Sequence, residues 1–274
     1  MIDSTSTQVI VDSLINTKPA SSSDWILHHV MDGDYLDFSP FFKIYLPHFE
    51  LFGLDLSITR HVLFMWLGSI LLFIVMTRVA KAYKSSMVPK GFTNFWELFI
   101  VFVRDEIAKP TIGKGFEKFL PYLLTAFFFI LFGNFLGLIP FSATFTSNIA
   151  VTATMAIFSF IVTQFGGMRS NGVFGYFKGL IPHGVPVLLL PIMIVVEFLG
   201  LLTKPFALAI RLFANMTAGH IVVYALISLI FVMQNVAWAG LAIPMALFIY
   251  SLEILVALLQ AYIFTILSGL FIGM

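Results

Sequence analysis

From residue 61 onward, apolar positions come in long blocks separated by short clusters of charge, and each block reads as membrane-spanning. The first, residues 61–77 (HVLFMWLGSILLFIVMT), is just long enough to cross a bilayer at about 1.5 Å per residue. A second covers 119–139, rich in Phe and Leu and closed by Gly137 and Pro140, and a third covers 149–167. The last ninety residues differ in kind. Blocks at 186–233 and 241–273 are joined by the turn-like Gln234-Asn-Val-Ala-Trp-Ala-Gly240, with Pro244 just after. The first of these is far longer than the ~20 residues a crossing needs. Either it breaks into two spans at Thr203-Lys204-Pro205, or it is one long helix lying tilted in the bilayer. The second reading is preferred, since a proline kink is tolerated where neighbouring helices satisfy the freed backbone groups.

Between the first two blocks, residues 91–118 alternate apolar and charged positions (Trp96, Glu97, Arg104, Asp105, Glu106, Lys109), as expected of an interfacial helix and a loop. No internal repeat is evident, which argues against transporters built from duplicated halves. The pattern therefore predicts an all-α polytopic membrane protein with about five membrane-embedded helices. These include a long tilted C-terminal helical hairpin, and an interfacial helix accompanies them. Residues 56–274 form the membrane domain and 1–55 a separate head.

Charge sets the orientation. Arg78, Lys81, Lys84 and Lys90 follow the first block at once, which places residues 78–118 in the cytoplasm and the amino terminus outside. Arg169 and Lys178 bring the end of the third block back to the cytoplasmic side. The head carries eight acids (Asp3, Asp12, Asp24, Asp32, Asp34, Asp37, Glu50, Asp55) against Lys18 and Lys43. Its first twenty-four residues lack the basic and apolar regions of a secretory signal, so the first apolar helix is expected to direct insertion. No Arg-rich transit peptide is visible either. A bacterial inner membrane is the expected location, although an organelle-encoded chain would also lack one.

Composition narrows the chemistry. With 59% hydrophobic and 11% charged residues among 274, and a mean hydropathy of +1.00, the whole chain falls in the membrane class. A net charge of +1 without a basic domain leaves nothing to bind nucleic acid, and the absence of cysteine excludes disulfides and thiolate metal sites. Gly113-Lys-Gly115 lacks the spacing of a phosphate loop, and no His/Glu metal motif is present. No catalytic site, metal or cofactor is expected in this chain.

Past Lys118 only Arg169, Lys178, Glu197, Lys204, Arg211 and Glu253 are charged, so those within apolar blocks are functional candidates by default. Arg211 is foremost. A guanidinium is effectively always charged, and near a bilayer centre it costs at least about 2.5–3.5 kcal/mol. At 100° per residue, Glu197, Lys204, Arg211 and Asn215 fall within about 80° of one another, while His220 lies about 180° from Arg211 and about 13.5 Å further along. On the last helix Glu253 and Gln260 share a face, and an antiparallel hairpin can bring Gln260 near Arg211 and Glu253 near His220.

Titratable groups thus flank a fixed charge, an arrangement suited to proton movement in two half-paths. Plainer readings stand beside it. Arg211 can pair structurally with Glu197, and Glu197 with Lys204. His220 can be a hydrogen-bonded interior histidine, and Gln260 can hold helices together. Asp55, just before the first block, is either a channel-mouth acid or a surface one.

The run Lys204-Pro-Phe-Ala-Leu-Ala-Ile-Arg-Leu-Phe-Ala-Asn-Met-Thr-Ala-Gly-His220, together with Leu252-Glu-Ile-Leu-Val-Ala-Leu-Leu-Gln-Ala-Tyr-Ile-Phe-Thr265, resembles subunit a of the F-type ATP synthase. Gly133-Asn-Phe-Leu-Gly-Leu-Ile-Pro140 is similar to that family's second-span signature. The resemblance implies a non-catalytic stator subunit that faces a rotating ring of c subunits, alongside peripheral-stalk b subunits in the lipid bilayer. It implies that Arg211 separates two proton half-channels, that Glu197 serves the cytoplasmic exit, and that His220 and Glu253 line the entry. Gln260 would stand opposite the arginine, with Asn215, Asn134 and Asn148 as polar lining. His on the first helix of the hairpin and Glu on the second is the arrangement familiar from mitochondria. Gly137 and Ser142 stand where some bacterial members place acids. A self-contained proton or ion channel, or a secondary transporter, is the alternative, and a scaffold with a merely paired arginine is a third reading.

Overall fold

The computed structural model describes residues 33, 35–38, 42–47, 50–51, 54–55, 57–85, 91–139, 142, 144–172, 175 and 190–273. Most of the acidic head, His28-His29, Lys90, Pro140, Lys178 and the start of the 186–233 block lie outside these residues, as do the side chains of Asp55 and Arg169. The described part of the head holds two antiparallel hairpins. In one, β1 (Tyr35–Phe38) pairs with β2 (Phe42–Tyr45); in the other, β3 (Glu50–Leu51) pairs with β4 (Leu54–Asp55). From Arg60 on, everything described is helix or turn, so the all-α reading holds for the membrane domain.

Helix α1 runs Arg60–Ser85, eight residues past the block that predicts it, because its last two turns carry the basic cluster rather than a breaker. The interfacial segment is α2 (Phe92–Phe102), a π-helical stretch Val103–Ala108, and α3 (Lys109–Ile112). Helices α4 (Leu120–Gly137), α5 (Ile149–Asn171), α6 (Leu190–Val232) and α7 (Ala239–Gly273) follow. Among the described residues five helices are long and apolar enough to cross a membrane. The long block is one unbroken helix of 43 residues that passes through Pro205. At 1.5 Å per residue it measures about 65 Å, roughly twice a hydrocarbon core, so it must run obliquely.

Helix α4 is the centre of the molecule. Over half of its spanning window is buried (56%), against 11% for α6. Phe127, Phe128, Ile130 and Leu131 pack into a core with Val103 and Ile107 from the π-helical stretch, Leu208 and Leu212 from α6, and Ala261 and Phe264 from α7. The ring of Trp96 on α2 stacks on Phe132 at 5.3 Å and meets Phe128 edge-on at 5.8 Å, which fastens the interfacial helix to that core. On its polar side Arg104 donates two hydrogen bonds to Asp105, at 3.0 and 2.8 Å, and Lys109 pairs with the same carboxylate. Arg104 first, then Lys109, hold the Asp105 carboxyl well below the ordinary carboxylate range.

Two close approaches set the geometry around the site. Gly133 and Gly137, one turn apart on α4, lie under Phe145 and Thr144, where a Cβ on either would collide with the side chain above. The short turn Phe145–Ser147 is therefore pressed against α4, and Asn148 caps α5 by accepting from the Ala150 N–H at 2.9 Å.

Candidate functional site

The face that α6 turns to its neighbours is made of Leu208, Ala209, Leu212 and Met216, all buried. Its other face is open: Ala207, Arg211, Ala214, Asn215 and Ala218 are exposed. Four of these five are smaller than the arginine, so the guanidinium stands above its neighbours on that face, with Phe206 and Ile210 exposed at its edge. Among the described residues none hydrogen-bonds to Arg211 or pairs with it. The structural reading of the arginine, a salt bridge to Glu197, finds no support here. Glu197 lies fourteen residues, about 21 Å, toward the amino end of the same helix and is half-buried. No ion pair joins it to Lys204, whose ammonium sits 5.1 Å over the Phe271 ring of α7.

Toward the turn end of the hairpin the character changes. His220 Nδ1 lies 3.2 Å from Glu253 Oε1, so the antiparallel register does bring these two residues together. Glu253 is 4% exposed, and neither of its carboxylate oxygens accepts a hydrogen bond from a described residue. A buried carboxylate in that state needs water, a cation or a proton. The other ring nitrogen of His220, Nε2, is 2.7 Å from the hydroxyl of Thr144. A threonine hydroxyl can donate to that nitrogen or accept from it. The same contact therefore serves both the neutral and the protonated ring.

The pair stands at one wall of a cavity of about 440 Å³ between α6, α7 and the end of α4, lined also by Tyr224, Tyr250 and Leu138. The Tyr250 hydroxyl donates to the Leu138 carbonyl, tying α7 to the end of α4. Gly219 makes the close pairing possible. A Cβ there would sit 2.5 Å from Glu253 Oε1 and 3.0 Å from its Cγ and Cδ.

The remaining candidates divide. Gln260 is buried, 4% exposed, seven residues from Glu253. Along an antiparallel pair it falls within about 3 Å of the level of Arg211. Asn215 is exposed beside the arginine. Asn134 is sealed (0% exposed): its amide donates to the Ala257 carbonyl at 3.3 Å, and its oxygen accepts from Thr146 at 2.7 Å. It works as a bracket between α4 and α7 rather than facing the cavity. Asn148 is occupied as a helix cap.

Sequence reasoning passed over Thr144, Tyr250 and Gly219. Only Gly219 gave a signal, as a glycine between an alanine and a histidine in mid-helix, where backbone must be approached closely.

A profile of the ATP synthase A chain family matches residues 62–273, which takes in α1 from its third residue, all of α2 to α7, and Glu197, Arg211, His220, Glu253 and Gln260. The chain belongs to this family. Among relatives, ATP synthase subunit a of Chloroherpeton thalassium is 53% identical over 251 residues, covering 90% of this chain and 75% of its own. ATP synthase subunit a 2 of Chlorobaculum tepidum is 49% identical over 255 residues, covering 92% and 72% respectively. ATP synthase subunit a of an Anaeromyxobacter species is 54% identical over 229 residues, 81% of this chain and 55% of that one. The resemblance to subunit a of the F-type ATP synthase read from the two hairpin motifs is thereby borne out, and with it a part in ATP synthesis and ion transport within a membrane.

Proposed function

We propose that this chain is the proton-translocating stator subunit of its ATP synthase and forms two offset half-channels against a rotating c-ring. The observation that carries the reading is Arg211: exposed, with alanines around it on its face, without a partner among the described residues, between Glu197 on one side and the His220–Glu253 pair on the other. An uncompensated guanidinium in an apolar helix calls for an acidic counterpart from another chain. Small residues beside it let a partner helix come close. Protons enter through the cavity at the turn end, pass the His220–Glu253 pair, and are handed to a ring carboxylate. Arg211 favours release of the ring proton on the far side and blocks a direct path, because it does not itself titrate. Glu197 receives the proton on the cytoplasmic side, and Gln260 and Asn215 are polar neighbours of the arginine.

Each charge crossing 100 mV yields about 2.3 kcal/mol, so several must pass for one ATP, which a ring provides and a single gate does not. The chain carries no catalytic site of its own; ATP chemistry belongs to other subunits. The basic cluster from Arg78 to Lys84 supports a cytoplasmic end for α1 and an extracytoplasmic amino terminus in a bacterial inner membrane. The interfacial α2 and α3 and the basic end of α1 face the side on which peripheral-stalk b subunits would stand.

The test is Arg211→Ala in inverted vesicles that carry the assembled complex. ATP-driven proton pumping is expected to vanish with normal assembly, while passive leak after removal of the catalytic subunits is no lower than wild type. Pumping near wild type would overturn the role given to the arginine.

A further inference from the structure

The outer path has a second histidine that the site described above does not use. His61, at the start of α1, is 2% exposed, and its Nε2 lies 3.1 Å from the Ser147 hydroxyl oxygen. Ser147 gives its hydroxyl hydrogen to the Thr144 carbonyl at 2.7 Å. Its oxygen is then an acceptor, so His61 must hold a proton on Nε2 whatever its charge. Thr144 in turn meets His220 through its side chain. A continuous line of contacts therefore runs from α1 through the Thr144–Ser147 turn to His220 and Glu253. Phe145 of the same turn packs against Gly68 on α1 and Gly133 on α4, so the His61–Ser147 contact adds a polar tie to an apolar one.

We propose that His61 is a positioning residue of the outer proton path. By holding Ser147 it fixes the turn that delivers the Thr144 hydroxyl to His220, and so sets the angle at which the His220 ring faces Glu253. The charged and titratable groups around this line are Arg60 beside His61 on α1, Tyr224 on α6, and Tyr250 and Glu253 on α7. The inference rests on the entry role proposed for His220 and Glu253.

The test uses the assembled complex in inverted vesicles and reads passive proton flux per complex across a range of pH, after the catalytic subunits are removed. His61→Leu, Ser147→Ala and Thr144→Val are each expected to lower flux about three- to tenfold, the range that one interhelical hydrogen bond spans. Each is also expected to displace the pH at which flux is half-maximal. The double variant His61→Leu/Thr144→Val should be no slower than the slower single one, because both break one line. His61→Gln, whose amide can donate from the place of Nε2, should restore flux and pH profile.

A merely structural histidine gives a different result: less complex in the membrane, but unchanged flux per complex and an unshifted profile, and this outcome overturns the proposal. So does a double variant whose losses multiply. Glu253→Gln, measured in parallel, separates the two levels. If it conducts like wild type, the entry path itself is misplaced and the proposed function fails. If it blocks flux while His61→Leu does not, only the role of His61 falls.

Discussion

The two halves of α6 are built on opposite principles. Near the turn end, His220 and Glu253 sit inside the chain, with a threonine, a glycine and a cavity arranged around them by α4 and α7. Nine residues earlier, Arg211 stands on the open side of the same helix with no described partner and alanines on either side. The first region is finished within one chain; the second is half of something. A charge that costs several kcal/mol in hydrocarbon is tolerated on an open face only when another molecule covers it. The contrast says where the chain's own machinery ends and an assembly begins. It also makes different substitutions matter in the two places: internal spacing at one, and access from outside at the other.

The sharpest way to break the finished half is Gly219→Leu. The new side chain occupies the space of the Glu253 carboxylate, which a Cβ alone would already approach to 2.5 Å. Misplacing a reacting group by about 1 Å can cost on the order of a hundredfold. Passive proton flux per complex is therefore expected to fall at least tenfold, with Gly219→Ala intermediate. Quantifying the complex in the same vesicles separates this from failed assembly. Wild-type flux in Gly219→Leu would show that Glu253 need not lie against α6.

The open half breaks from outside. Ala214→Phe adds a ring beside Arg211, at a position exposed among the described residues, so the isolated subunit should fold and insert as before. Partner helices would be held off by the ring, because close approach depends on small residues. ATP-driven pumping is expected to fall several-fold while the amount of subunit in the membrane stays constant. The same change at buried Ala209 should instead reduce the amount of subunit, since it overpacks the core. Equal behaviour of the two variants would remove the distinction between the faces.

Much of this was legible from residue order alone. The blocks give the five long helices because a chain in lipid has few ways to satisfy its backbone. The described part of the 186–233 block settles as one helix, Leu190–Val232, since Thr203-Lys204-Pro205 offers a kink but no turn. Glu253 and His220 meet as the hairpin register requires, because two antiparallel helices joined by a short turn have only one way to align. What could not be read were contacts made across the fold by residues with ordinary neighbours. Thr144 and Ser147 sit in a polar loop where such residues are common. His61 opens an apolar block, where a histidine reads equally well as a surface group. Asn134 and Asn148 were legible as polar residues in unusual places, but one is consumed by a bracket between helices and the other by a cap. Polarity in a membrane helix marks a residue that needs a partner, and the partner decides the job.

Asn134 tests that last distinction with the smallest effect. Its two side-chain bonds join α4 to the Ala257 carbonyl of α7 and to Thr146 in the turn. Asn134→Leu keeps the branching and the number of heavy atoms and removes both. Side-chain hydrogen bonds between membrane helices average about 0.6 kcal/mol and reach about 1.7, so the loss of stability should be roughly 1–2 kcal/mol. It should appear as a lower thermal midpoint in detergent. Because Asn134 faces away from the cavity, proton pumping by the assembled complex at moderate temperature is expected to stay within about twofold of wild type, well inside the factor of ten that 1.4 kcal/mol represents. A loss of pumping as deep as that of Gly219→Leu, with the midpoint unchanged, would move Asn134 from the framework into the path. Water would then have to reach a side chain that the packed state seals from every side, and the boundary drawn here between bracket and channel would have to shift toward α4.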